Sequence, residues 1–197
     1  MIVGTAKPAR VRAIGVDTIQ IMSETFLSVL RSVDPAVEYV GRYIDTLTTD
    51  EVARVHAAGY AILPFTYANE FDPAPRLQKL AALGCPPGVT TFLDIEGVNL
   101  QPADTMARAN VWAKAFQGAK LDPGGYVGAG AGLSAAQWSS LVIDRYMRSC
   151  SAVPEPSEGF CVLQLFEPDI MLGEGLEVDY EVVQRDFERR VPVLWAA

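Results

Sequence analysis

The residues of this 197-residue chain best placed to do chemistry are Asp94 and Glu96, in the run TTFLDIE over 90–96. A β-type run puts residues two apart on one face, with Cα atoms ~6.5 Å apart at about 3.3 Å rise per residue. Leu93 and Ile95 then take the opposite face. Two carboxylates on an apolar inward face are costly to bury. Their repulsion should raise the pKa of one, leaving a proton donor beside an ionised partner. Glycoside hydrolysis needs that division of labour. Two further acids, Asp17 and Asp179, also stand at the ends of strand-like runs. A lone Asp at a strand end is usually a turn or cap residue, but four acids meet at one mouth if the first and last strands close a barrel.

Other residues leave two readings open. Arg42 and Tyr43, near the end of the second strand, are either a structural ion pair and a core ring or part of the cleft. Tyr67, Tyr126 and Gln164 are candidate sugar contacts, against the alternative of simple packing. Gly124, Gly125, Gly128, Gly130 and Gly132 have no Lys-Ser/Thr after them, so a phosphate loop is excluded. They are expected to make room for a ligand or a neighbouring strand. His56 is the sole histidine, which argues against zinc and against a Ser-His-Asp triad, and it is expected on a helix surface. Cys85, Cys150 and Cys161 lack metal-ligand spacing, and their odd number leaves at least one free.

Alternating elements must position these groups. Strands are predicted over 13–18, 38–44, 60–67, 90–96, 125–130, 160–166 and 176–182. Ser23 caps a helix with Phe26, Leu27, Leu30 and Val33 on one face, and Thr48 to Glu51 form a capping box for a helix stopping at Gly59. Further helices are predicted over 75–83, 102–116 and 184–190, with a short one capped by Ser134. Residues 141–149 either extend that short helix or form a sixth strand. Apolar strands alternating with helices imply a parallel sheet covered by helices. Eight strands in 197 residues are tight for a full (β/α)8 barrel of about 250. Omitting helices between the last three strands resolves this, giving an α/β, compact TIM-like barrel of five βα units plus three closing strands. A doubly wound open sheet is the runner-up.

Half of the residues are hydrophobic and 20% charged, which suits one globular domain over 1–197 with its core at about 13–183. The net charge of −8 argues against nucleic acid or an anionic membrane as partner. No apolar run approaches the roughly 20 residues that span a bilayer, so no membrane insertion is expected. The opening MIVGTAKPARVRAIGVD is unlike a signal peptide. Cytoplasmic synthesis is expected, with action at the envelope or outside after partner-assisted export or lysis.

The motifs GVDT (15–18), VGRYI (40–44), LTTDEVARVHAAGYAILPF (47–65), FLDIEG (92–97), GGYVGAGAG (124–132), the strand ending in Gln164 and VDYEV (178–182) recur in order. Together they resemble bacterial and phage glycoside-hydrolase-like barrels of unknown function, relatives of the family 25 (Chalaropsis-type) lysozymes. The resemblance runs from about residue 13 to 183. It implies the five-plus-three barrel, with residues 142–149 as its sixth strand. It also implies Glu96 as general acid, Asp94 as charged partner, and Asp17 and Asp179 supporting the site or positioning water or substrate. The implied reaction is lysozyme-like cleavage of the β-1,4 bond after N-acetylmuramic acid in peptidoglycan. The Trp that usually precedes the strand-seven Gln in those lysozymes is Leu163 here.

The expectation is a monomeric glycosidase acting on a cell-wall polysaccharide, without metal or cofactor. A non-catalytic carbohydrate-binding barrel retaining the acidic cleft is the alternative. A barrel enzyme of different chemistry, with a divalent metal between the acids, is a third.

Overall fold

The computed structural model describes residues 3–68, 71–165, 170–173 and 175–197. Phe166, the last residue of the strand predicted over 160–166, lies outside the described residues. The elements run β1 (Thr5–Pro8), β2 (Ile14–Asp17), α1 (Glu24–Val33), β3 (Val37–Tyr43), α2 (Thr49–Ala57), β4 (Ala61–Tyr67), α3 (Pro73–Leu83) and β5 (Thr90–Asp94). They continue α4 (Pro102–Gly118), β6 (Asp122–Val127), α5 (Ala135–Ser139), β7 (Arg145–Arg148), β8 (Val162–Gln164), β9 (Ile170–Gly173), β10 (Leu176–Val183) and β11 (Val193–Ala196).

Eight of the strands close a barrel. β2 to β8 pair in sequence order, all parallel, and β10 seals the gap by pairing with both β8 and β2. The eighth strand is antiparallel to both neighbours, which corrects the expectation of a wholly parallel sheet. A parallel return needs a crossover of a dozen or more residues, usually a helix. Here β9 and β10 form an antiparallel hairpin instead, and the chain simply turns back. Asp179 therefore reaches the mouth from the first half of β10, directly opposite Asp17 in the ladder.

Side chains alternate between two apolar layers, as a period of two requires. Tyr39, Leu63, Phe65, Phe92, Met147, Val162 and Val183 fill the barrel. Val40, Ile62 and Leu93 face outward, against helix residues such as Phe26, Leu30, Val55, Trp112 and Phe116. Burying each such side chain contributes roughly 1.5–3 kcal/mol.

Several local expectations are corrected. Residues 184–190 form a turn, not a helix: Asp186 accepts from Arg190 N and Nε, both at 2.7 Å, and Arg189 is left-handed at φ 65°. The chain then enters β11, which pairs with β1 and touches β4; neither terminal strand was anticipated. β9 lies where only a Gly-rich turn was expected. After α5 the chain turns before β7, and Tyr146 Oη donates to Trp138 O (2.6 Å) and Ile143 O (3.1 Å) across that turn. Glu51 was expected to complete the Thr48 capping box. Thr48 does accept from Glu51 N (3.2 Å), but the Glu51 carboxylate points to Arg42 and Met22 N. His56 is half-buried with its ring edge-on to Trp195, 5.5 Å between centroids, not a free surface residue. All three cysteines are free.

Candidate active site

β5 ends at Asp94, two residues earlier than the sequence suggested. Asp94 Oδ1 accepts from Glu96 N at 2.9 Å, so its side chain bends the backbone two residues on, as Asx turns do. Glu96 has thus left the strand. Tyr67 braces the turn by donating to Glu96 O at 2.9 Å. Glu96 then lies over Gly128, where a Cβ would fall 1.9 Å from its Oε1. Gly124 admits the Phe92 ring as Gly128 admits Glu96, and Gly125 lies against Trp138 and Tyr146. Gly130 and Gly132 instead serve positive φ angles of 83° and 69° and make room for no neighbour.

The cavity at this end of the barrel has a volume of about 280 Å³. Its lining includes Asp17, Tyr43, Phe65, Glu96, Tyr126, Gln164 and Asp179. Of the acids anticipated from sequence, Asp17, Glu96 and Asp179 open onto it. Asp94 is recessed, 3% exposed, and accepts from Tyr43 Oη at 2.7 Å. On the far wall, Gln164 is oriented by two donors to its Oε1, Tyr126 Oη (2.9 Å) and Cys150 N (3.1 Å). Its Nε2 therefore faces the acids, donating to Asp179 Oδ2 at 2.7 Å and, more distantly, to Asp17 Oδ2 at 3.4 Å.

The electrostatics separate the two carboxyls of the Asp94/Glu96 pair. Burial raises the Glu96 pKa first, and repulsion from Asp94 adds to it; a backbone N–H at Ala129 opposes both. Burial also raises Asp94, but the Glu96 N–H and the Tyr43 hydroxyl favour its ionised form. Desolvation, more than the mutual repulsion expected from sequence, is the leading cause. Glu96 is the half-buried member on which repulsion adds to burial, and Asp94 the buried one whose hydrogen bonds oppose it.

Arg42 is corrected from cleft candidate to structural ion pair. It is fully buried, with Nε on Glu51 Oε1 at 2.7 Å and Nη1 on Thr18 O at 2.5 Å. It fixes the loop between β2 and α1 from behind. Tyr67 likewise supports the Glu96 turn and is absent from the cavity lining. Sequence reasoning missed Phe65, which lies in the lining, and Gln20, which clamps the β9–β10 hairpin through Gly175 O and Glu177 N, both at 3.1 Å. Nothing local distinguishes either in sequence. It also missed Glu181, fully buried on β10 two residues beyond Asp179. That spacing repeats Asp94-x-Glu96 and was a usable signal. Among the described residues, no three His, Cys, Asp or Glu side chains are spaced to hold a metal ion, and no helix is long and apolar enough to cross a membrane.

No family model and no curated protein matches the chain. Solved structures do. An uncharacterized B. stearothermophilus protein aligns at TM-score 0.67 and 21% identity over 87% of this chain and 96% of that one. A muramidase from Acremonium alcalophilum aligns at TM-score 0.62 and 12% identity over 90% of this chain and 96% of that one. At these identities the likeness is one of fold. This mixed α/β fold with its closed eight-strand barrel is thus one shared with a muramidase.

Proposed function

We propose that the protein is a glycoside hydrolase of the lysozyme type, built on a compact TIM-like barrel of five βα units and three closing strands. It acts on a cell-wall polysaccharide, peptidoglycan first of all, and uses Glu96 as general acid. The observation that carries this reading is the environment of Glu96: a carboxyl at the lip of an acid-lined cavity, its pKa raised by burial and by Asp94. A general acid at a glycosidic oxygen must keep its proton until the bond breaks. Asp94, whose ionised form Tyr43 Oη and Glu96 N favour, supplies the negative charge that an oxocarbenium-like transition state needs. Being recessed, it acts through the field and not by contact. Asp17 and Asp179, oriented by Gln164, position water or the sugar, and Tyr43 and Tyr126 line the cleft.

The protein works as a monomer without a metal or cofactor, and reaches the wall from the cytoplasm through a partner export system or on lysis. The experiment is incubation with purified peptidoglycan followed by mass spectrometry of the soluble fragments. Disaccharides with a reducing N-acetylmuramic acid end are expected. Retention of the protein on the glycan with no fragment released, under every condition, would instead make it a carbohydrate-binding barrel.

A further inference from the structure

Below the mouth, β10 carries Glu181, which has no solvent exposure and stands opposite Gly15 of β2 and Gln164 of β8. Position 15 carries no side chain because the Tyr39 ring occupies that space; a Cβ there would fall 2.1 Å from Tyr39 Cζ. The polar neighbours of Glu181 are the Tyr39 hydroxyl and the Asp17 carboxyl. Yet both Glu181 oxygens and the Tyr39 hydroxyl lack a partner at ordinary hydrogen-bond geometry. Two ionised carboxylates offer each other only acceptors, so only a proton between them can make a bond.

The other charges that act on the pair among the described residues, Asp179 and Asp94, are acidic too. Two buried negative charges side by side are far more costly than one. We propose that Asp17 and Glu181 share one proton, and that Glu181 is thereby the positioning residue that holds Asp17 at the mouth. Asp17 has the distant Gln164 amide as a donor, at 3.4 Å. The shared proton gives it a second. Burial drives both carboxyls upward in pKa, the direction this sharing requires. The titration then belongs to the pair and not to either residue. The role of Asp17 toward substrate rests on the glycosidase reading, whereas the shared proton rests on the barrel interior alone.

The test is carbon NMR of the folded protein with labelled Asp and Glu carboxyls, followed through pH. Signals are assigned with Glu181→Gln and, independently, with Asp17→Asn. At about pH 5.5, where ordinary carboxyls near 3.9–4.3 have ionised, one proton should remain on the pair, with both resonances moving together above that. Both carboxyls at their ionised positions at that pH would overturn the proposal. Activity on peptidoglycan supplies the functional arm. Glu181→Gln, which can still donate to Asp17, should retain kcat, while Glu181→Met, similar in size but without a donor, should lower it. Equal activity in the two variants would overturn the positioning role. A shared proton in a wild-type protein that cleaves no glycan would contradict the glycosidase reading and leave the pair standing.

Discussion

Glu96 rests against the bare backbone of Gly128: a Cβ at position 128 would fall 1.9 Å from Glu96 Oε1 and 2.2 Å from its Cγ. Since the backbone at 128 is not in the left-handed region, alanine fits the main chain and only the Glu96 side chain must move. Gly128→Ala should therefore fold, with stability changed by no more than about 1 kcal/mol. It should also lose on the order of 10²-fold in kcat, the cost of displacing a reacting group by about 1 Å. Thermal melting and fragment release measure the two. A variant as active as the wild type would show that Glu96 does not work from its position over Gly128.

Tyr43 controls the charge on Asp94. Its hydroxyl donates to Asp94 Oδ2 at 2.7 Å and favours the ionised form against burial. A hydrogen bond to a charged group contributes about 1.5–3 kcal/mol, and each pKa unit corresponds to about 1.4 kcal/mol. Tyr43→Phe should raise the Asp94 pKa, moving the acidic limb of the pH–rate profile upward by about one unit. An unmoved limb would mean that Asp94 need not be ionised for turnover.

Much of this barrel could be anticipated because its signals are local. Helix α1 begins where Ser23 accepts from Phe26 N, and α5 where Ser134 and Gln137 form a complete capping box, both within four residues of sequence. The acids Asp17, Glu96 and Asp179 do meet at one mouth, because barrel closure brings the first and last barrel strands together. What was hidden depends on distant partners. Glu51 looked like a capping carboxylate until the fold supplied Arg42. The strand pair β1–β11 joins residues nearly the whole chain apart, such as Thr5 and Ala196, and short terminal strands carry little periodicity of their own. Glu181 escaped notice although its spacing from Asp179 repeats Asp94-x-Glu96, because its full burial depends on Tyr39 and Gly15 of distant strands.

Arg42 and Glu51 carry a stability prediction. Both side chains are fully buried, and their 2.7 Å contact ties β3 to α2 and to the loop after β2. Removing one partner of such a pair strands the other charge and costs about 3–5 kcal/mol. Glu51→Ala should show that loss in chemical denaturation. Replacing both residues with apolar ones of similar volume should recover part of it. A Glu51→Ala protein within about 1 kcal/mol of the wild type would mean the pair is not desolvated in solution.

The buried acids also fix how stability depends on pH. Glu181 moves from an ordinary 4.5 up to about 7 through burial, and Asp17, Asp94 and Glu96 shift in the same direction. Between those values the folded chain binds more protons than the unfolded one, so stability falls as pH rises. The contribution of the Asp17/Glu181 pair is complete below the ordinary carboxyl range and is lost as pH climbs through about 7. Each such proton gives a slope of up to about 1.4 kcal/mol per pH unit. Denaturant midpoints measured across that window should decline, and Glu181→Gln should flatten the decline. A wild-type midpoint that rises with pH there would show these carboxyls ionised in the fold.

The central claim is tested most directly by comparing wild type with Glu96→Gln for release of reducing ends from purified peptidoglycan. The substitution keeps size and hydrogen-bonding capacity while removing the acidic proton of a carboxyl whose pKa burial and Asp94 raise. The expected result is a wild-type hydrolase and a folded variant slowed by about 10²–10⁴-fold, the usual contribution of a general acid. Equal rates in the two proteins would contradict the account and take the chemistry away from Glu96.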